Sequence, residues 1–281
     1  MTKRILVTGA DGQLGAFIVQ AFQDYDVKAS TRKRLDITNT EAIHQTIKDF
    51  SPSVVINCAA YNDVDGAENE PSIALEVNAL ALRNIARAVE SCGATLVHYS
   101  TDFVFDGVTT SAYNEHDRVS PKSTYAASKL LGEWFALDAP RAFVLRVESL
   151  FGCHDNWTGR HGTLDKIAAS LRKGHEVQVF TDRIVSPAYL VDVAAATRHL
   201  VENSVEPGLY HCVNSGYGNW YSVAEEIARV LGITPRLKSV TMDTVKTQAV
   251  RPKFCALSNQ KLAKAGFSMP SWQDALGRWL S

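Results

Sequence analysis

The sequence lacks the features that mark secreted, membrane-spanning and nucleic-acid-binding proteins. Its five cysteines form no CxxC pair and no metal-ligand spacing, which indicates reduced thiols in a reducing compartment. No apolar run reaches the length of a spanning helix, and the run that ends at Gly9 is too short for a signal peptide. A net charge of -1 gives no electrostatic reason to expect a nucleic acid or an anionic membrane as partner. We therefore expect a cytoplasmic protein without either partner.

Repeats, low-complexity tracts and long linkers are also missing. The first half instead alternates short apolar runs with longer segments of helical spacing, a pattern typical of a doubly wound parallel α/β sheet with helices on both faces. Strands are predicted at residues 5–7, 27–30, 54–56, 96–99 and 143–145. Helices are predicted at 14–22, from a capping box of Thr38 and Glu41 to residue 50, at 71–92 with Gly93 as C-cap, and at 123–136.

After Phe151 the alternation loosens, which predicts a different organisation for the second half. The polar segment 152–162, rich in Gly, His, Asp and Asn, is interpreted as a mobile loop. Helices are predicted near residues 163–172, 191–201, 222–231 and 272–280. This half is expected to form a small lobe and to return some segments to the main sheet.

The first strand is followed directly by a glycine-rich turn. Gly9, Gly12 and Gly15 are spaced GxxGxxG, one residue wider than the common dinucleotide fingerprint. Gly9 permits a tight turn, Gly12 lets the backbone approach a pyrophosphate, and Gly15 allows the helix to pack closely on the strand. The N-terminus of the helix then offers N–H groups to phosphates. The alternative is a purely structural glycine turn.

The tip of the second strand determines which dinucleotide is expected. An NAD site usually has a carboxylate there for the ribose hydroxyls, but this tip contains Thr31 and Arg32 followed by two more cations, and no carboxylate before Asp36. Cations at this place favour the 2′-phosphate of NADP, with Arg32 as the best forked contact. We therefore expect NADP(H) in preference to NAD(H), the alternative being a solvated basic loop.

Tyr125 and Lys129 stand at i and i+4 on a predicted helix and therefore share one face. A ketoreductase needs an acid that protonates the oxygen as hydride arrives, and tyrosine serves only if a cation stabilises its phenolate. Lys129 supplies that cation and can also bind the nicotinamide ribose. Taken alone, the pair favours an ordinary exposed helix face, and its value comes from the hydroxyl groups that precede it.

Hydroxyl groups follow the fourth strand, at the sheet edge where open α/β proteins bind ligands. Ser100 and Thr101 are candidates to polarise a substrate carbonyl, and we favour Thr101. Small residues after the third strand would let a nucleotide lie flat there. Asn78, in mid-helix, is expected either to link two helices or to position a catalytic water.

Six motifs occur in one order along the chain: TGADGQLG, LDITN, NCAAYNDVDGAE, VNA, VHYSTDFVFDG and YAASKLLGE. Together they resemble the dTDP-4-dehydrorhamnose reductase branch of the extended short-chain dehydrogenase/reductases. The resemblance implies a Rossmann-type NADP-binding domain at residues 1–150, and a region at 151–281 that is mostly a substrate-binding lobe. It also implies NADPH-dependent reduction of a keto group, at C4 of a nucleotide-activated 4-keto-6-deoxy sugar.

The resemblance also implies residue roles. Tyr125 would donate the proton, with Lys129 as its partner and Thr101 as the hydroxyl that orients the carbonyl. The cofactor would contact Gly9, Gly12, Gln13, Leu14, Gly15, Thr31, Arg32, Asp36, Ile37, Ala59, Ala60, Tyr61, Asn62, Asn78, Tyr99, Tyr125 and Lys129. The substrate would contact Thr101, Asp102, Phe103, Glu148 and Arg251.

Departures from the family pattern fall on the sugar side. Phe103 replaces the tyrosine of STDYVFDG, and Glu148 and Leu150 stand in a segment where the family has an aromatic residue. Phe17 replaces a glutamate that ligates magnesium at a dimer contact in some members, so we expect no metal site and leave a homodimer open. The pattern favours the same chemistry on a different sugar.

Two other functions are compatible with the motifs. One is a non-catalytic NADP-binding regulatory subunit similar to the methionine adenosyltransferase β subunit, although Thr101, Tyr125 and Lys129 are all retained. The other is a nucleotide-sugar epimerase, for which the ESLFG segment is slightly typical but no second acid/base residue is evident from the sequence.

Overall fold

Strand–helix alternation produces a parallel sheet, as the apolar pattern predicted. The computed structural model describes residues 3–153 and 157–281. The strands in this part of the chain are β1 (Arg4–Thr8), β2 (Asp26–Ser30), β3 (Val54–Asn57), β4 (Thr95–Thr101), β5 (Ala142–Val147), β6 (Leu150–Phe151), β7 (Val177–Phe180), β8 (Ile184–Val185), β9 (Ala188–Tyr189), β10 (Gly208–His211), β11 (Gly218–Asn219) and β12 (Leu237–Val240).

The central sheet has six parallel strands in the order β10-β5-β4-β3-β1-β2. This arrangement confirms the predicted Rossmann-type fold class. β10 belongs to the second half of the chain, which therefore returns one strand to the sheet. The remaining strands form two-stranded pairs: β11 with β8, β12 with β7, and β6 with β9.

Helices cover both faces of the central sheet. Those in the described residues are α1 (Gln13–Ala21), α2 (Thr40–Phe50), α3 (Gly66–Asn69), α4 (Pro71–Leu75), α5 (Ala81–Cys92), α6 (Thr124–Leu137), α7 (Thr163–Arg172), α8 (Leu190–Glu202), α9 (Trp220–Leu231), α10 (Gln260–Lys264) and α11 (Trp272–Leu280). Because side chains alternate along a strand, Ile5 and Val7 pack towards α1 and α8, whereas Leu6 packs towards α2 and α5. In this part of the chain no helix is long and apolar enough to cross a bilayer.

Two predicted helix features were wrong in detail. Helix α2 is capped by Asn39, whose side chain accepts a hydrogen bond from Ala42 N, and not by Thr38. Thr38 instead donates its hydroxyl to Asp36. The predicted continuous helix 71–92 is interrupted by a π-helical turn, Glu76–Leu80, which widens the helix where Asn78 turns inward. Its end at Gly93, in the left-handed conformation, is as predicted.

A separate hydrophobic cluster holds the smaller lobe together. It joins α7, α9 and α11 around Phe151, Leu164, Ile227 and Leu276. The proposed division of the chain at residue 150 stays a prediction, since β10 and α8 belong to the main sheet and its covering layer. Residues 154–156 of the predicted mobile loop lie outside the described residues.

Candidate active site

The glycine-rich turn has the shape that the sequence predicted. Gly9 has a φ of 64°, which favours glycine, and a Cβ there would meet the backbone N of Ala59 at 2.6 Å. A Cβ at Gly15 would overlap the carbonyl oxygen of Gly9. Gly12 is the N-cap of α1 and makes no side-chain cap, so the first N–H groups of the helix are open to a ligand. This turn can therefore cradle a pyrophosphate.

Beside this turn a cleft of about 500 Å³ lies at the carboxyl ends of the strands. That place is where open α/β sheets bind ligands. Residues predicted to bind cofactor or substrate that line the cleft are Gly12, Gln13, Leu14, Ala59, Ala60, Asn62, Tyr99, Thr101, Asp102, Phe103, Tyr125, Lys129, Glu148 and Arg251. Residues that the sequence did not single out also line it, among them Asn57, Trp157, Arg160, His161, Arg183 and Trp220.

Tyr125 and Lys129 lie on the inner face of α6, one turn apart and both buried. The helix begins at Ser123, whose hydroxyl accepts a hydrogen bond from Ala126 N, so Tyr125 stands in the first turn, beside the strand ends. Burial raises the pKa of Tyr125, the nearby Asp102 raises it further, and its contact with the Thr101 side chain lowers it. The phenol therefore keeps its proton at neutral pH and can donate it.

Lys129 is held by the strand next to its helix. Its Nζ donates a hydrogen bond of 2.6 Å to the carbonyl oxygen of Tyr99 and lies 3.4 Å from His98 Nε2. Burial lowers the pKa of Lys129 to about 8. Burial and this lysine hold the pKa of His98 well below its usual value, so the imidazole is neutral. The positive charge that lowers the Tyr125 pKa comes from Arg160, so the predicted action of Lys129 on the phenolate stays a prediction.

Thr101 and Asp102 form the corner where β4 ends. Phe103 N donates a 3.2 Å hydrogen bond to Thr101 Oγ1, which caps the short 3-10 turn Asp102–Val104. Thr101 Oγ1 lies 3.0 Å from Asp102 Oδ1. The Phe103 ring meets the Tyr125 ring edge-on, with centroids 5.9 Å apart. The other candidate, Ser100, also lines the cleft, and its buried hydroxyl has no hydrogen-bond partner among the described residues.

Glu148 follows β5 and lies beside this corner. Its Oε2 accepts a 2.6 Å hydrogen bond from Ser186 N. One atom each of Asp102, Glu148 and Cys255 lie within 4.8 Å of one another. Burial raises the pKa of both carboxyls, Asp102 raises that of Glu148 further, and Arg183 lowers both. The sequence did not reveal this cluster because Asp102, Glu148 and Cys255 come from three separate segments.

Arg251 reaches the cleft from the C-terminal segment. Its guanidinium makes a forked contact with Asp65, with N–O distances of 3.0 and 2.6 Å. The forked contact lowers the pKa of Asp65 to about 2. The pair ties the segment after residue 245 to the loop after β3, which places Arg251 at the rim predicted for the substrate.

Several residues predicted to bind the cofactor lie outside the cleft. Arg32 is 82% exposed and pairs with Asp36 at 3.7 Å, while Asp36 also accepts hydrogen bonds from the backbone and hydroxyl of Thr38. Ile37 is buried in the core, and Thr31 lies in the turn after β2. Gly9 and Gly15 shape the phosphate turn from behind.

Tyr61 and Asn78 also face away from the cleft. The phenol of Tyr61 donates a hydrogen bond to Glu70, and Tyr61 is not among the residues that line the cleft. Asn78 is fully buried, and its amide bonds the backbone N and O of Tyr61 and the hydroxyl of Ser128. Of the two roles expected for Asn78, a link between helices or the positioning of a catalytic water, the structure displays the link between helices.

Comparison with known proteins agrees with this geometry. A family model described as RmlD substrate binding domain matches residues 3–281. The spore coat polysaccharide biosynthesis protein SpsK of Bacillus subtilis is 33% identical over 100% of this chain and 97% of its own length. A dTDP-4-dehydrorhamnose reductase of Mycobacterium tuberculosis is 36% identical over 100% of this chain and 93% of its own.

A solved structure has the same fold throughout. It is a dTDP-4-dehydrorhamnose reductase from Bacillus anthracis in complex with NADP, with a TM-score of 0.93, 33% identity and 99% coverage of both chains. The family and the reductase class expected from the motifs are thereby confirmed. The chain belongs to the dTDP-4-dehydrorhamnose reductase family.

Proposed function

We propose that this protein reduces the C4 keto group of a nucleotide-activated 4-keto-6-deoxy sugar, with NADPH as the hydride donor. One observation carries the proposal: Thr101, Tyr125 and Lys129 meet in the same cleft as the glycine-rich turn. A cofactor phosphate at that turn and a sugar carbonyl at Tyr125 would therefore share one cavity. The motif order and the relatives named above support the same reaction.

The residues present fit a dinucleotide. Gly9 and Gly15 allow the turn to pack closely on the backbone of Ala59 and on itself, where a Cβ would collide. Gln13 and Leu14 follow Gly12 at the start of α1, where the free N–H groups can bind phosphate oxygens. The small side chains Ala59 and Ala60 leave space at the end of β3. We further propose that NADP(H) is preferred to NAD(H), because the Arg32 side chain is exposed and its ion pair with Asp36 is a weak surface pair, so it can turn to a 2′-phosphate.

The protein's own groups then act on the carbonyl. When bound, NADPH supplies the hydride. Tyr125 donates its phenolic proton to the carbonyl oxygen, while Thr101 donates a hydrogen bond that polarises the C=O bond. Lys129 lies one turn behind Tyr125 and, in this proposal, stabilises the phenolate that is left. Arg251 and Asp102 lie where they can contact the sugar nucleotide.

The proposal also covers the division of the chain into binding regions, the location of the protein and its assembly. We place cofactor binding mainly in residues 1–150 and substrate binding mainly in residues 151–281. We also propose a cytoplasmic location, and we leave open whether the protein forms a homodimer. Such a dimer would not be linked by a metal at Phe17, because this side chain is buried in the core.

NADPH consumption with a panel of nucleotide-linked 4-keto-6-deoxy sugars, including dTDP-4-dehydrorhamnose, tests the proposal. At least one sugar should be reduced, with the product identified by mass and NMR. Tyr125→Phe serves as the inactive control. Tight NADPH binding without turnover of any sugar would contradict the proposal and favour a regulatory subunit, whereas a product isomeric with its substrate would favour an epimerase.

A further inference from the structure

Two buried carboxyl groups lie directly behind Thr101. Asp102 is 3% exposed and Glu148 is 2% exposed, and one oxygen of each, Asp102 Oδ2 and Glu148 Oε1, has no hydrogen-bond partner among the described residues. These carboxyls lie within 4.8 Å of each other. Both line the cleft that holds Tyr125. Neither the proposed proton transfer nor the fold uses the two unpartnered oxygens.

The charge around this pair is not balanced if both groups ionise. Arg183 is the cation that acts on both carboxyls, and its guanidinium also lies 5.3 Å from the centre of the Phe103 ring. Cys255 faces both acids, but burial and the two carboxyls raise the pKa of its thiol, which stays neutral. Tyr125 is likewise neutral, and the cation that lowers its pKa is Arg160, whereas Arg183 is the cation that lowers the pKa of both carboxyls. One cation against two buried carboxylates leaves one negative charge in excess, which a single retained proton removes.

The position of that proton matters because Thr101 has only one hydroxyl hydrogen. Thr101 Oγ1 already accepts from Phe103 N and lies 3.0 Å from Asp102 Oδ1. An ionised Asp102 can only accept, so Thr101 must then donate its hydrogen to Asp102 and cannot donate it to a carbonyl. A protonated Asp102 can instead donate to the second lone pair of Thr101, which leaves the Thr101 hydrogen free.

We propose that Asp102 and Glu148 share one proton, and that this proton sets the direction of the Asp102–Thr101 hydrogen bond so that Thr101 can polarise the substrate carbonyl. Glu148 is then a positioning residue, which acts through Asp102. The inference rests on the proposed reduction. No proton is consumed, because Asp102 keeps its proton while Tyr125 supplies the one that reaches the product.

This arrangement predicts the direction of a pH effect. Burial raises the pKa of Asp102 above its ordinary value, as it does for Glu148. The productive form of Thr101 is therefore present at lower pH and is lost when the shared proton leaves at higher pH. Above that point kcat should fall about tenfold per pH unit, down to the activity left without the Thr101 donor.

Two conservative variants separate the roles of the pair. Glu148→Gln keeps an oxygen for Ser186 N and removes the second acid of the pair, and the loss of that neighbouring negative charge favours the ionised form of Asp102. The alkaline limb of its kcat profile should move down by at least about one pH unit. Asp102→Asn imitates the protonated acid, since its amide can donate to Thr101 at every pH, and this alkaline limb should disappear. Glu225→Gln, an exposed carboxyl on α9, is the matched control and should keep the wild-type profile.

A double variant tests whether Glu148 acts through Thr101. Thr101→Ala removes the hydroxyl, so Glu148→Gln should cause no further loss in that background, although it lowers kcat in the wild type. Additive losses, or a Glu148→Gln profile that falls in height without moving in pH, would overturn the proposal in favour of a merely structural role.

Carboxyl carbon-13 NMR of the protein without substrate gives a readout that does not depend on the reaction. Signals assigned by their loss in Asp102→Asn and Glu148→Gln should titrate as a coupled pair, one of them well above the ordinary carboxyl range of about 4. Two independent titrations in that ordinary range would overturn the shared proton. Failure of every sugar in the activity panel, with the coupled titration present, would instead contradict only the proposed reduction.

Discussion

Lys129 Nζ donates a hydrogen bond of 2.6 Å to the carbonyl oxygen of Tyr99, which joins the middle of α6 to the end of β4. The contact holds an ammonium group in a site that is 2% exposed. The same contact fixes Tyr125 one helical turn away. The pair of catalytic candidates is therefore positioned by a charged group that the fold must bury.

This burial predicts a pH-dependent cost in stability. The pKa of Lys129 is about 8 in the folded protein, compared with 10.5 for an ordinary lysine such as that of the unfolded chain. Between these two pH values the unfolded chain binds more protons than the folded protein. The free energy of unfolding therefore rises as the pH increases through this range. Replacing the lysine in Lys129→Met should abolish that rise, which amounts to about 3 kcal/mol for this shift. Urea unfolding of both proteins at about pH 7.5 and about pH 10 measures it.

The comparison needs a lysine that is not buried. Lys122→Met changes an exposed side chain just before α6 and should leave the pH dependence of the wild type intact. An equal rise in stability in wild type and Lys129→Met would show that the lysine is solvated or remains charged without penalty.

Tyr125→Phe should lower reductase turnover by a factor on the order of 10² or more, the usual effect of losing a general acid. NADPH affinity should remain nearly unchanged, because the ring and its edge-on contact with Phe103 are retained. Steady-state kinetics with the true substrate and a fluorescence titration with NADPH measure the two effects. Tyr217→Phe, at an exposed tyrosine, is the control. Turnover close to wild type would exclude Tyr125 as the proton donor.

Arg32→Ala should remove most of the preference for NADPH over NADH. The side chain is 82% exposed and its ion pair with Asp36, at 3.7 Å, is long, so little holds it away from a 2′-phosphate. One charge-assisted phosphate contact is worth about 1.5–3 kcal/mol, or roughly ten- to a hundredfold in affinity for NADPH alone. Titration of both cofactors against wild type, Arg32→Ala and the neighbouring Lys33→Ala decides it. Equal wild-type affinities for the two cofactors would mean that the basic loop faces solvent.

Features that depend on local sequence could be predicted. The phosphate-binding turn could be predicted because Gly9, Gly12 and Gly15 follow the first strand at fixed spacing. The common face of Tyr125 and Lys129 could be predicted from their helical spacing alone. The sheet follows from the alternation of apolar runs with helices. Each of these needs only neighbouring residues, so no knowledge of the tertiary structure is required.

Features that depend on contacts between distant segments could not be predicted from the sequence. Glu148 and Arg183 reach Asp102 from the ends of other strands, and Arg251 meets Asp65 across 186 residues of sequence. Periodicity gives no information about such contacts. The resemblance implies that Tyr61 lies at the cofactor, and only the tertiary structure reveals that its phenol donates a hydrogen bond to Glu70. The π-helical turn at Asn78, whose amide bonds Ser128 on α6, is likewise not marked by any local pattern.

Asn78→Ala should destabilise the fold and disturb the cleft only indirectly. The buried amide makes three hydrogen bonds, to Tyr61 N at 2.8 Å, Tyr61 O at 3.0 Å and Ser128 Oγ at 3.0 Å. Alanine would leave both Tyr61 groups without this partner, while Ser128 would keep its bond to Tyr125 O. The expected loss is about 1–3 kcal/mol in the free energy of unfolding, measured with urea. Asn84→Ala, which removes a single bond to Thr40 on the outer side of α5, is the matched control and should cost less.

Because Asn78 holds the backbone that follows Ala60, KM for NADPH should rise more than kcat falls. Wild-type stability combined with a large fall in kcat would contradict this positioning role and favour the other expectation, a direct contact between Asn78 and a catalytic water.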